Sequence, residues 1–194
     1  MILIPAILTD DPTEARNWIE KIKETGEYER VQVDFVDGEY SNNLTIRPGD
    51  VLVSEFEGLK FDAHLMLVQK NILGWTNEAE ISGYQRIISQ VESISDPESF
   101  SALALDMHSP VAAIEPYLAK LELVVVMAVE PGFGGQKFSD ETIEKIKNLN
   151  SLRIQSSLKF RICVDGGVQK EHLAVLQAAG ADEAAVGVKR VLEW

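Results

Sequence analysis

Two aspartates and a histidine stand where this chain could move protons or hold a metal. Asp34 lies near the end of the apolar run 30–36, His64 within 61–67, and Asp165 directly after 160–164. Apolar runs of this length, bounded by polar residues, read as buried parallel strands. Gln32 precedes Asp34 by two residues and so shares its face of the strand. A buried carboxylate has to be matched by a cation, a metal or hydrogen bonds. One inward aspartate alone reads as a satisfied buried group. Two at the ends of different strands read as an acid/base pair, and with His64 they form an O/N/O set suited to a divalent metal.

A second chemistry is written in glycines. After the apolar stretch 121–128 comes Val129-Glu130-Pro131-Gly132-Phe133-Gly134-Gly135-Gln136, with three glycines in four positions. Side chains are stripped from this turn, so its backbone N–H groups can close on an anion, most often a phosphate. Gly166-Gly167 follows Asp165, and Gly187-Val188 follows the apolar run at 184–186. Three glycine turns after the last three strands are what a (β/α)8 barrel presents to a phosphorylated substrate. The phosphate is expected on backbone donors, since the strand ends carry few cations.

Eight strands are expected to position these groups: residues 1–8, 30–36, 61–67, 84–90, 102–106, 121–128, 160–164 and 184–188. Asp11-Pro12 caps and starts a helix, with Glu14 completing a capping box. Residues 48–56 predict a short helix, and Ile72, Leu73, Trp75 and Ile81 the face of another. Ser109-Pro110 opens a helix with Ile114, Leu118 and Leu121 on one side, and Ser139 caps the next. The helix after strand seven buries Leu173 and Leu176 and stops at Gly180. Alternating strands and helices imply a parallel sheet, here one (β/α)8 barrel domain over residues 1–194. The chain is short for that fold, which typically takes about 250 residues. Only residues 91–101 join strands four and five, and seven residues follow Gly187. Helices four and eight are therefore expected to be reduced or absent. Parallel strands are buried on both faces, so these gaps predict a homo-oligomer whose interface covers one of them.

Composition narrows the partners. The formal net charge of −13 argues against nucleic acid and anionic membranes. An anionic substrate must then be held by local donors or a metal. Cys163 is the single cysteine, and no long apolar run or signal peptide is visible. These features lead to a cytoplasmic expectation.

The motifs resemble the ribulose-phosphate 3-epimerase family. Val33-Asp34-Phe35-Val36-Asp37-Gly38 followed by Asn43-Leu44-Thr45-Ile46, then Asp62-Ala63-His64-Leu65-Met66, Ser109-Pro110, Met127 to Phe138 and Val164-Asp165-Gly166-Gly167 all match its signatures. The resemblance runs from Pro5 to Gly187. It implies a barrel of the ribulose-phosphate-binding type that interconverts D-ribulose 5-phosphate and D-xylulose 5-phosphate. Asp34 and Asp165 would be the acid/base pair and also ligands of one divalent metal (Zn, Fe, Mn or Co), with His64. Met66 and Met127 would line the enediolate. Gly132, Gly134, Gly135, Gly166, Gly167, Gly187 and the Val188 N–H would hold the phosphate. Gln32 stands where the family has a ligating histidine, and its amide oxygen would be the fourth, weaker ligand. Ala6 replaces a serine, Val36 a methionine, Gln90 a histidine and Val188 a serine. Two other readings stay open: the same chemistry on a ketohexose 6-phosphate, and a relic that binds only a phosphosugar or a protein partner. An aldol-type or decarboxylase barrel with an Asp-x-Lys-x-x-Asp strand is set aside, because Asp34 to Asp37 contains no lysine.

Overall fold

A computed structural model describes residues 1–194. The apolar runs pair in chain order as β1 (Ile2–Ile7), β2 (Arg30–Val36), β3 (Lys60–Met66), β4 (Arg86–Gln90), β5 (Ala102–Leu105), β6 (Leu123–Met127), β7 (Arg161–Asp165) and β8 (Glu183–Gly187). Every neighbour is parallel, and β8 pairs with β1 to close the barrel.

The strand sequences explain the closure. All of β6, Leu-Val-Val-Val-Met, is buried. Leu123, Val125 and Met127 turn inward, where Ala102, Ala104 and Ala185 keep the interior narrow enough to fill. Val124 and Val126 turn outward into a cluster with Ile146 and Leu149 of α3 (Glu141–Gln155). On the opposite side Val31, Val33 and Phe35 share a second outer cluster with Ile19 and Ile22 of α1 (Pro12–Thr25).

The N-terminal end of the interior is charged. Asp62 accepts from Arg30 and Arg86, Arg86 also reaches Glu183 at 2.9 Å, and Arg161 meets Glu183 at 2.9 Å. Asp62 and Glu183 are buried, so each carboxylate depends on its guanidinium partners.

The helices match the expectation in part. Asp11 accepts from Thr13 N at 2.8 Å and Pro12 opens α1. Glu14 forms no capping box. Its carboxylate is taken by the Thr9 hydroxyl and Trp18 Nε1 instead. In α2 (Gln69–Ser82) the buried face is Ile72, Trp75, Ala79 and Ser82, in steps of three and four. Leu73 and Ile81 fall off that face and point to solvent, 74% and 81% exposed. Residues 48–56 form two short 3-10 turns, Pro48–Asp50 and Val53–Glu55, because Val51 between them returns to an extended backbone. The helix expected from Ser109 is also two 3-10 turns, Val111–Ala113 and Glu115–Tyr117. Ile114, Leu118 and Leu121 are buried all the same. Pro116 has no N–H to give and would clash with the preceding turn of an α-helix. Before α3, Ser139 does not cap. Its N–H goes to Ala128 O at 3.1 Å, and Asp140 takes the cap position without a side-chain bond. Behind β7, α4 (Leu173–Ala179) ends at Gly180 with φ 112°.

Both expected gaps are present. Between β4 and β5 the crossover is two 3-10 turns, Val91–Ser93 and Pro97–Ser99. After β8 only the single turn α5 (Val188–Val191) remains. A groove lined by Ile72, Leu73, Ile87, Ile94 and Phe100 lies open beside the first gap. No helix is long and apolar enough to cross a membrane.

Candidate active site

Strand register delivers the predicted groups to one end of the barrel. Asp34 on β2 is level with His64 on β3, and Met127 on β6 with Asp165 on β7. His64 Nδ1 lies 3.4 Å from Asp34 Oδ1 and 3.2 Å from Asp165 Oδ2. The three ligand atoms all lie within 4.8 Å of one another. Gln32 is at the centre of this cluster. Its Nε2 donates to Asp34 Oδ1 at 2.8 Å and to Asp165 Oδ2 at 2.7 Å. On the far side of the ring, Gln90 Nε2 is 3.2 Å from His64 Nε2.

Burial raises the pKa of Asp34; the hydrogen bond from His64 opposes the rise and the charge of Asp165 adds to it. Burial alone would lower the pKa of His64. The hydrogen bonds and charges of Asp165 and Asp34 outweigh it and lift the imidazole to about 10. Asp34 and His64 therefore do not titrate independently of each other.

The donor set fits a divalent cation. Two carboxylates and an imidazole nitrogen are suitable hard and borderline ligands at bridging distance. The amide oxygens of Gln32 and Gln90 are both buried and without a partner. Turning both amides over would give each oxygen a partner in place of the nitrogen's present contacts. Gln32 Oε1 would face a cation among the carboxylates, and Gln90 Oε1 would accept from His64 Nε2–H. That second bond holds the ring in the tautomer whose Nδ1 has a free lone pair. Gln32 as placed presents its nitrogen, so its expected ligand role requires this rotation.

A cavity of about 360 Å³ opens above the cluster. Its floor contains Asp34, Asp165, Met66 and Met127, and its wall contains Gly132, Gly134, Gly135, Gly166, Gly167, Gly187 and Val188. Gln32 and His64 lie below the floor, fully buried. Of the polar cluster only the two aspartates reach the cavity, with side chains 13% and 10% exposed. Glycine is required at 166 and 167. Their φ values are 103° and 65°, and a Cβ would fall 2.3 Å from Val129 Cγ2 or 2.6 Å from Phe138 N.

The segment Asp37 to Thr45 builds the rim. Asp37 accepts from the N–H groups of Glu39, Tyr40 and Val68 and from Asn71 Nδ2. Asn43 Nδ2 donates to Gly132 O at 2.7 Å, and the Tyr40 hydroxyl donates to Asp106. His108 lies on the surface, 2.9 Å from Glu130. Four wall residues were not read from the sequence as part of a site: Glu14, Trp18, Lys189 and Arg190. The one signal for the last two was a pair of basic residues directly after the final glycine turn.

With this geometry in view, known proteins are informative. The model of the ribulose-phosphate 3 epimerase family matches residues 2–189. The chain belongs to that family. The ribulose-phosphate 3-epimerase of Methanocaldococcus jannaschii is 34% identical over 195 residues, which covers 94% of this chain and 81% of the relative. The Bacillus subtilis ribulose-phosphate 3-epimerase is 32% identical, with coverage of 92% and 86%. Among solved structures, a putative deoxyribose-phosphate aldolase from Coccidioides immitis superposes with a TM-score of 0.66 at 14% identity, covering 100% of this chain and 84% of that one. At that identity the likeness concerns the barrel alone. Of the five departures that the resemblance implies, four collect around one ring and one wall. Gln32 and Gln90 both touch His64, while Ala6 and Val188 line the cavity.

Proposed function

We propose that this protein epimerises carbon 3 of D-ribulose 5-phosphate to give D-xylulose 5-phosphate. Asp34 and Asp165 are the acid/base pair, and Asp34, His64 and Asp165 hold one divalent cation. The observation that carries this reading is that two carboxylates from different strands face one cavity beside three glycine turns, in a chain of this family. Inversion at one carbon needs a base on one face and an acid on the other. At any instant one carboxylate must be ionised and the other protonated. Burial beside a second carboxylate is the environment that separates two aspartates in this way. Met66 and Met127 exclude water from the reacting carbon, and backbone N–H groups orient the phosphate. When bound, the cation draws charge from the substrate oxygens and so acidifies the C3 proton.

The test is metal-stripped protein given D-ribulose 5-phosphate, with Zn²⁺, Mn²⁺, Fe²⁺ or Co²⁺ added back and D-xylulose 5-phosphate followed. A ketohexose 6-phosphate serves as the competing substrate. Gln32→His should tighten Zn²⁺ binding on the order of tenfold, since imidazole is a better donor than a neutral amide oxygen that must first rotate. Competition against a chromogenic chelator reads this without any turnover. If the variant binds no better and the wild type binds neither Zn²⁺ nor Mn²⁺, the metal-dependent reading fails and a binding-only relic replaces it.

The open groove beside β4 supports a homo-oligomer in which a second copy covers Leu73 and its neighbours. Sedimentation at micromolar concentration should give a species heavier than the 21.5 kDa chain, and a clean monomer would refute it. A phosphosugar substrate and a lone buried cysteine suit a cytoplasmic protein.

A further inference from the structure

The cavity wall carries charge that the glycine turns do not explain. Four carboxylates line it, those of Glu14, Asp34, Glu130 and Asp165, against the cations Lys189 and Arg190. A phosphate monoester entering this cavity as a dianion meets two wall carboxylates, Glu14 and Glu130, besides the catalytic pair, in a chain whose formal charge is −13. Backbone dipoles alone would have to overcome that field. Lys189 is already engaged: its Nζ lies 3.4 Å from Glu14 Oε1 and the side chain is 74% exposed. Arg190 forms no ion pair. Its Nη1 donates to Val168 O at 3.1 Å, and that is the only hydrogen bond its guanidinium makes. Val168 directly follows Gly166-Gly167, and Arg190 lies three residues past Gly187. The bond therefore anchors the guanidinium where two of the three glycine turns converge, with Nε and Nη2 left as donors. A planar fork with free donors is the group that matches phosphate oxygens.

We propose that Arg190 is the side-chain ligand of the substrate phosphate, and that it sets the preference of this cavity for a phosphorylated ketose over a free one. The assignment rests on the phosphosugar reading above, so the test separates the two. The probe is inorganic phosphate, titrated calorimetrically into the protein at constant ionic strength. Arg190→Gln keeps a donor for Val168 O and removes the charge. It should raise the phosphate Kd about 10- to 100-fold. Arg190→Lys, which keeps charge without the fork, should fall between. Lys159→Met removes one positive charge from the exposed turn before β7, outside the cavity, and should leave phosphate binding as in the wild type. With D-ribulose 5-phosphate, Arg190→Gln should raise KM by a similar factor and change kcat much less, the signature of lost uniform binding.

If Arg190 merely ties α5 to β7, Arg190→Gln and Arg190→Lys will bind phosphate as tightly as the wild type, and the proposal falls. Should Arg190→Gln fail to fold, a threefold or larger rise in Kd for Arg190→Lys supports it, and an unchanged Kd refutes it. If phosphate binding weakens as expected yet the wild type turns over no D-ribulose 5-phosphate, the epimerase reading falls and the Arg190 assignment stands.

Discussion

Asp165→Asn should lower turnover of D-ribulose 5-phosphate by about 10²- to 10⁴-fold while the protein keeps its cooperative unfolding. The substitution is isosteric. It preserves an acceptor for Gln32 and an oxygen that a cation can still use, and it removes the negative charge and the ability to take and return a proton. Asp34→Asn should do the same. Isotope exchange distinguishes this from general damage. With one aspartate left, that residue can still remove the C3 proton and return a solvent proton to the same face. Each variant should then exchange the C3 hydrogen of one epimer with solvent without inverting it, and the two variants should act on opposite epimers. Near-full turnover by Asp165→Asn would sink the two-base mechanism. Exchange of the same epimer by both variants would sink the assignment of one face to each aspartate.

Asp62→Ala should destabilise the fold by about 3–5 kcal/mol, the cost of breaking a buried ion pair by removing one partner. Asp62 is fully buried and is the shared acceptor of Arg30 and Arg86. Without it Arg86 retains only Glu183, and the half-buried Arg30 loses its one carboxylate partner. Urea unfolding measures the change. A loss below about 1 kcal/mol would mean that water reaches this layer and the pairs behave like surface ones.

The strands and the groups at their ends were legible because they are local. A run such as Leu-Val-Val-Val-Met reads as a strand wherever it sits, and a residue at its end inherits the barrel mouth. Asp34, His64 and Asp165 were found in this way, and the structure brings their ligand atoms together. Whatever depends on which segment lies opposite was hidden. Asp62 was visible only as the residue two before His64. Its need for Arg30 and Arg86 arises from strand pairing. The orientation of the Gln32 amide is likewise set by two carboxylates, one of them 133 positions away. Apolar spacing failed where proline intervened: Ile114, Leu118 and Leu121 are buried as read, yet no α-helix carries them. Arg190 escaped notice because a basic residue after a strand looks like ordinary solvated surface until the cavity it lines is known.

The two halves of this barrel answer to different demands. No residue from 67 to 126 lines the cavity. Its walls come from the first three strands, α1, and the ends of β6, β7 and β8 with the turns that follow them. On the β4–β5 side the mouth is roofed by the segment after β2, fastened through Tyr40 to Asp106 and through Asn43 to Gly132. The crossover without a helix therefore lies in the arc of the barrel that contributes nothing to the cavity lining. Length can be gained or lost between Val91 and Ser101, or between Asp106 and Glu122, with the catalytic floor left in register. A single residue added between Val129 and Phe138 would shift the phosphate turns against the carboxylates. Tolerance to insertion is thus uneven around the ring, and the reduced β4–β5 crossover lies in the tolerant arc.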